Sequence, residues 1–187
     1  MRVTKSGFHT ATISNPAAPQ LQIRLVPVEL FNLRAAYSIT FEAAGCDAIP
    51  AGLRTRTYSL AVAPPHTASP AFTGALQDAA FYRGYDTLFI MIGATARVMV
   101  YSWAAFEAWL EDQPIFEQLT PSGYLALSGT AHVVPDGGGT LSGAFNGSFT
   151  YCTSSALHST RSDWPPICTG SVVACESANH RLTLVPR

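Results

Sequence analysis

From residue 20 onward, apolar and polar positions alternate along most of this chain. Tyr58, Leu60 and Val62 alternate with Thr57, Ser59 and Ala61. Leu125, Leu127, Gly129 and Ala131 alternate with Ala126, Ser128, Thr130 and His132. The longest run sets Leu141, Gly143, Phe145, Gly147, Phe149 and Tyr151 against Ser142, Ala144, Asn146, Ser148 and Thr150. A period of two puts one face on a core and the other in water, as a half-buried strand requires. About nine strands are predicted: 20–26, 36–44, 54–63, 71–76, 87–93, 96–102, 123–134, 140–152 and 178–185. Ala63-Pro64-Pro65 ends one of them, and Pro135-Asp136-Gly137-Gly138-Gly139 joins two long ones as a hairpin. Many strands at short spacing, with no regular helices between them, predict an all-β chain. The expected form is an antiparallel up-and-down β-barrel, with a β-sandwich as the alternative. Gly129, Gly143 and Gly147 fall on the inward side of their strands, where glycine marks bulges and close approaches. That curvature favours the barrel.

One segment departs from this period. SWAAFEAWLEDQPIFEQL, residues 102–119, places Trp103, Phe106, Trp109 and Leu110 at helical spacing, with Ser102 as N-cap and Pro114 as stop. It reads as one short helix and an irregular return, with Glu107, Glu111, Asp112 and Glu117 facing water. Residues 1–19 are polar and aperiodic and read as an N-terminal arm, leaving 20–187 as a single β-barrel domain. TLFIMIGATARVMVYSWAAF, residues 87–106, is the most apolar stretch, but Arg97 interrupts it. Two adjacent buried strands account for it better than a spanning helix of about 20 apolar residues. Residues 1–19 also contain no apolar run of the length a secretory signal needs.

Charged residues make up 12% of the chain and hydrophobic ones 48%, with a net charge of −1. The charge fraction is about half that of an ordinary soluble domain, roughly 25%. No basic field exists to attract nucleic acid, and the arginines are dispersed, so a nucleic-acid partner is not expected. Apolar surface left over from the core points instead to a protein partner. Four cysteines, Cys46, Cys152, Cys168 and Cys175, fit two disulfides with three possible connectivities. The layout favours Cys152 with Cys168 across a polar loop, and Cys46 with Cys175 if the first and last strands meet at a barrel seam. His158 and His180 lie near these cysteines, but no CxxC or HxxxH pair is present, so no metal is expected. Disulfides imply an oxidising, extracytoplasmic compartment. An upstream start, a processed form or another export route reconciles this with the N-terminal sequence.

Four further motifs follow one another along the chain: C46DAIP with R54TRTY, S128GTA, S142GAFNG and C175ESANH. In this order they resemble a group of uncharacterised β-rich secreted proteins and lipoproteins of environmental bacteria, over roughly residues 36–185. The resemblance implies an exported barrel-like domain with Cys46 and Cys175 bridged, and it implies no activity. Cys152 and Cys168 are additional to that pattern. No cysteine lies near the N-terminus to carry a lipid.

Candidate chemistry is sparse. The chain has no GxSxG elbow, P-loop, HExxH or strand-following GxGxxG. His132 and His180 fall in predicted strands, where a hydrogen-bonded structural role is expected. Arg54 and Arg56 suit a carboxylate or phosphate clamp, or a strand face paired to acidic neighbours, and the second is favoured. The expectation is a non-catalytic accessory or structural subunit without cofactor, periplasmic or otherwise extracytoplasmic and peripheral to a membrane. It would dock on a larger membrane-bound complex through the arm and Trp103, Phe106, Trp109, Leu110 and Phe116. The alternative is a lipocalin-like carrier of a small apolar ligand, lined by Trp103, Trp109 and Phe145.

Overall fold

A computed structural model describes residues 2–3, 11–12, 33, 35–63, 71–82, 87–92, 96–100, 114–135, 138–153 and 170–187. Two short strands, β1 (Arg2–Val3) and β2 (Ala11–Thr12), pair with each other. The other nine form one antiparallel sheet. They are β3 (Ala36–Glu42), β4 (Thr55–Ala63), β5 (Ala71–Gln77), β6 (Thr87–Ile92), β7 (Ala96–Val100), β8 (Ile115–Thr120), β9 (Gly123–Pro135), β10 (Leu141–Thr153) and β11 (Val172–Pro186). A 3-10 turn at Ala51–Leu53 is the one helical element among the described residues.

Strand neighbours follow chain order from β3 to β7, and from β9 through β10 and β11 back to β3. Because β7 pairs with β9 and β9 with β10, the sheet curls round on itself into a barrel. The expected up-and-down antiparallel architecture is therefore the observed one. Strand β8 shares an edge of β9 with β7. Val100 of β7 sits opposite Gly129, and Ile115 of β8 sits opposite Leu127. The two are one wall strand in two pieces, separated by residues 101–114. Below the break, residues 80–82 carry the wall on from β5. The Tyr82 amide donates to the Phe116 carbonyl at 2.8 Å and the Gln118 amide to the Ala80 carbonyl at 2.7 Å.

The inward positions are those the alternation predicts. Tyr37, Ile39, Phe41, Tyr58, Leu60, Phe145, Phe149, Leu182 and Leu184 are at most 2% exposed and belong to one contiguous cluster. Phe41, Tyr58, Phe145 and Phe149 form a chain of edge-on ring contacts with centroids 5.7–6.2 Å apart. Burying each such side chain stabilises the fold by about 1.5–3 kcal/mol. The predicted glycines mark where β9 and β10 press together. Gly129, at φ +147°, faces Gly147, and a Cβ on Gly147 would lie 2.1 Å from the Ser128 carbonyl oxygen. Pairing of β10 with β11 shifts register between Phe145 and Gly147, a bulge of the kind expected there.

Three expectations need adjustment. The return from the predicted helix is not irregular: residues 115–120 are strand β8. Ile115, Glu117 and Leu119 take its inward positions, and the charge at Glu117 disguised the alternation. Glu117 does not face water; it is 4% exposed, because Arg56 and Tyr58 neutralise and hydrogen-bond it. The last strand begins at Val172 rather than 178, since its first half pairs with β10 and does not depend on burial of its own side chains. The predicted strand 20–26 and the helix over Trp103, Phe106, Trp109 and Leu110 lie outside the described residues.

Candidate functional site

The chemistry-bearing side chains of the described chain gather in two clusters on the inner face. The first grows from the stretch C46DAIPAGLR54. After β3 the chain turns, and the Ile49 amide closes onto the Cys46 carbonyl at 3.0 Å. Arg54 ties the loop from within. Its Nε donates to the Ile49 carbonyl at 2.8 Å, and its terminal nitrogens reach the Asp47 carbonyl at 2.8 Å and Asp47 Oδ1 at 3.0 Å. Asp47 is almost fully solvent-exposed, so its charge adds little, and the carbonyl contacts give Arg54 its structural role. The loop holds Cys46 against β11, where it is bonded to Cys175 with Cα atoms 5.6 Å apart. The disulfide thus links the loop after the first barrel strand to the last strand. Cys152 is also disulfide-bonded, and Cys168, the partner expected for it, lies outside the described residues.

His180 sits beside this bond, on the same strand as Cys175. It is 1% exposed, with Phe149 edge-on at 4.9 Å between centroids and Phe145 at 6.1 Å. Its Nδ1 accepts from the Ala44 amide at 3.0 Å, which places the proton of the neutral ring on Nε2. That Nε2 is buried and makes no hydrogen bond. Burial lowers the imidazole pKa below its ordinary value, outweighing the nearby Cys175 and Gly147 carbonyls.

The second cluster lies where β4 meets β8. Arg56 and Tyr58 share the inward face of β4 with Leu60. Arg56 grips Glu117 with two nitrogens, Nε at 2.9 Å from Oε2 and Nη2 on Oε1. The Tyr58 hydroxyl donates to Oε2 at 2.8 Å. The guanidinium also lies 5.7 Å from the centre of the Tyr58 ring. Burial alone would lower the Arg56 pKa, but its hydrogen bonds to Glu117 and Tyr58 and the Glu117 charge raise it on balance. Burial, followed by the adjacent Glu117 charge, drives the Tyr58 phenol well above its ordinary value. A carboxylate already occupies the guanidinium, so Arg56 is a packed ion pair and not an open anion clamp. Arg56 therefore follows the acidic-neighbour reading, although Glu117 is buried rather than on an exposed face, whereas Arg54 precedes β4 and is held mainly by loop carbonyls.

Phe116 points to the other side of β8. It is 6% exposed and packs with Tyr124, Ala126, Cys152 and Tyr82 in a second apolar cluster outside the barrel wall. Trp103, Phe106, Trp109 and Leu110 lie outside the described residues, as do His158, Glu107, Glu111 and Asp112. Phe145, expected to line a ligand cavity, is fully buried against other rings. On the outer face, Ser128, Asn146, Ser148, Glu176 and Ser177 border an open groove of about 490 Å³, floored by Gly129 and Gly147. Sequence reasoning missed the Arg56–Tyr58–Glu117 triad and the proximity of His180 to the disulfide. In both cases the available signal was a polar residue at an inward position of an alternating strand.

Among the described residues, no helix is long and apolar enough to cross a membrane. No family model, curated protein or solved structure matches the chain.

Proposed function

We propose that this chain is a non-catalytic accessory or structural subunit, extracytoplasmic and peripheral to a membrane, that docks on a larger membrane-bound protein complex. The observation that carries this reading is the outer wall from β9 through β10, β11 and β3 to β4. One row across these five strands reads Val134, Ser142, Thr183, Thr40 and Thr57, each directly opposite the next. The row is uncharged. Val134 and Val185, 53% and 46% exposed, stand at and beside it. Hydroxyls and valines lose water at lower cost than charges, and the buried centre of a protein interface is depleted of charge. The disulfides support an oxidising compartment. The filled inner face of the described barrel favours docking over carriage of an apolar ligand.

The test is gentle detergent extraction from the native cells, native-gel separation and mass spectrometry of co-migrating chains. It is repeated with Thr183→Arg and Val185→Glu variants whose circular dichroism is unchanged. Co-migration with a membrane complex that both variants abolish is the expected result. Migration of the wild type alone, near its own 19.9 kDa, would overturn the reading and turn attention to a ligand screen.

A further inference from the structure

The loop that carries Cys46 does not depend on its disulfide alone for its position. Arg54 holds it through the Ile49 and Asp47 carbonyls, and the Ala43 amide donates to the Arg54 carbonyl at 2.7 Å. Cys175 is fixed independently by its pairing with Phe149 of β10. Opening the Sγ–Sγ bond therefore leaves two thiols facing each other. Beside them is His180, whose Nδ1 lone pair accepts from the Ala44 amide and whose Nε2 is buried. Cys46 Sγ, Cys175 Sγ and an imidazole nitrogen of His180 all lie within 4.8 Å of one another. Tetrahedral zinc, with bonds of about 2.3 Å to sulfur and about 2.0 Å to nitrogen, spaces its ligand atoms by roughly 3.5–4 Å. The cluster reaches that spacing through side-chain adjustment. The spacing matches no standard zinc motif, because Cys46 and Cys175 are 129 residues apart.

We propose that reduction of the Cys46–Cys175 bond turns this cluster into a metal site for Zn²⁺ or another thiophilic divalent ion, with Cys46, Cys175 and His180 as protein ligands and a water as the fourth. A thiol or phosphine reductant supplies the two electrons. The Sγ–Sγ bond breaks, each sulfur gains a proton and the reductant is oxidised. The metal ion then displaces both thiol protons, and the Nδ1 lone pair of His180 turns from the Ala44 amide to the ion while Nε2 keeps its proton. Two thiolates cancel its charge, so the site is neutral where it meets the rings of Phe145 and Phe149. Cys175 is the half-exposed member of the set and gives the ion and the water their approach. The same three residues would then brace the loop against β11 in either redox state, by a covalent bond or by a metal.

The experiment adds Co²⁺, and separately Zn²⁺, to the full chain, oxidised or reduced under argon. Folding is followed by circular dichroism and metal uptake by thiolate-to-cobalt charge-transfer absorption. Expected are one equivalent bound to the reduced protein and none to the oxidised protein. Zn²⁺ should raise the melting temperature of the reduced form. Binding should be lost in Cys46→Ser and weakened more than about tenfold in His180→Gln, whose amide can still accept from Ala44. The proposal is overturned if the reduced, folded protein gives no band, or if uptake is indifferent to both substitutions. It is also overturned if the reduced protein unfolds and stoichiometric Zn²⁺ does not restore it.

Discussion

Replacing Arg56 by leucine tests whether the β4–β8 contact is a buried ion pair. The substitution leaves Glu117, with a side chain 5% exposed, holding only the Tyr58 hydroxyl. Removing one partner of a buried pair costs about 3–5 kcal/mol, because the remaining charge is stranded. In a chain of this length each kcal/mol lowers the melting temperature by about 2–4 °C, so the expected fall is roughly 6–20 °C. Glu117→Leu alone should cost less, because Arg56, with a side chain 26% exposed, can turn toward water. The double variant, Arg56→Leu with Glu117→Leu, should recover most of the loss, since an apolar pair of similar volume removes both charges. Urea denaturation at pH 7 of the wild type, both single variants and the double gives the coupling energy directly. If the two single effects add to within about 0.5 kcal/mol, the residues are not coupled and the argument for a packed ion pair fails.

Further predictions follow from the other cluster and from the strand contacts. The folded pKa of His180 lies below its unfolded value, so between the two the unfolded chain holds the extra proton. Stability is then fully present above about pH 6.5 and declines on acidification, with a slope of at most about 1.4 kcal/mol per pH unit. Denaturation midpoints from pH 5 to 7.5 should show this slope in the wild type, and His180→Gln should flatten it. Cys46→Ser opens a loop of 129 residues and should cost about 4–5 kcal/mol under non-reducing conditions; an unchanged melting temperature would mean that the bond does not brace the fold. Gly147→Ala drives a methyl group into the Ser128 carbonyl and should cost at least about 1–3 kcal/mol, with faster amide exchange along β9 and β10. Gly45→Ala, at φ +69° in open space, should cost only about 1–2 kcal/mol and leave that exchange unaltered.

The strands from 36 to 153 that alternate without interruption were legible because burial and polarity coincide in them. Leu125, Leu127, Ala131 and Val133 face inward, as the two-residue period requires. Strand β8 was not legible, because Glu117 sits in an inward slot and only its partners, 59 and 61 residues away on another strand, make that tolerable. A still longer separation, 136 residues between Ala44 and His180, hid the approach of His180 to the Cys46 loop. The Cys46–Cys175 bond could be anticipated from layout, since barrel closure brings the first and last strands side by side. The start of β11 carried too little apolar alternation to register. Val172, Ala174 and Glu176 are exposed, and β10 supplies the order that their own burial does not.

The divided wall strand has a consequence for how this chain accepts change. Val100 and Ile115 stand opposite Gly129 and Leu127, two rungs apart on β9, or about 7 Å along the strand. A chain that leaves and rejoins a sheet at nearly the same rung can gain or lose residues between those points while the ladder on either side keeps its register. Adding residues between two such points of a ladder is also inexpensive in closure entropy, about 0.6 kcal/mol for each doubling of a flexible connection. The junction between Val100 and Ile115 is thus a point where sequence can be exchanged or grafted while the described strands keep their register, and engineering of a new specificity would begin there.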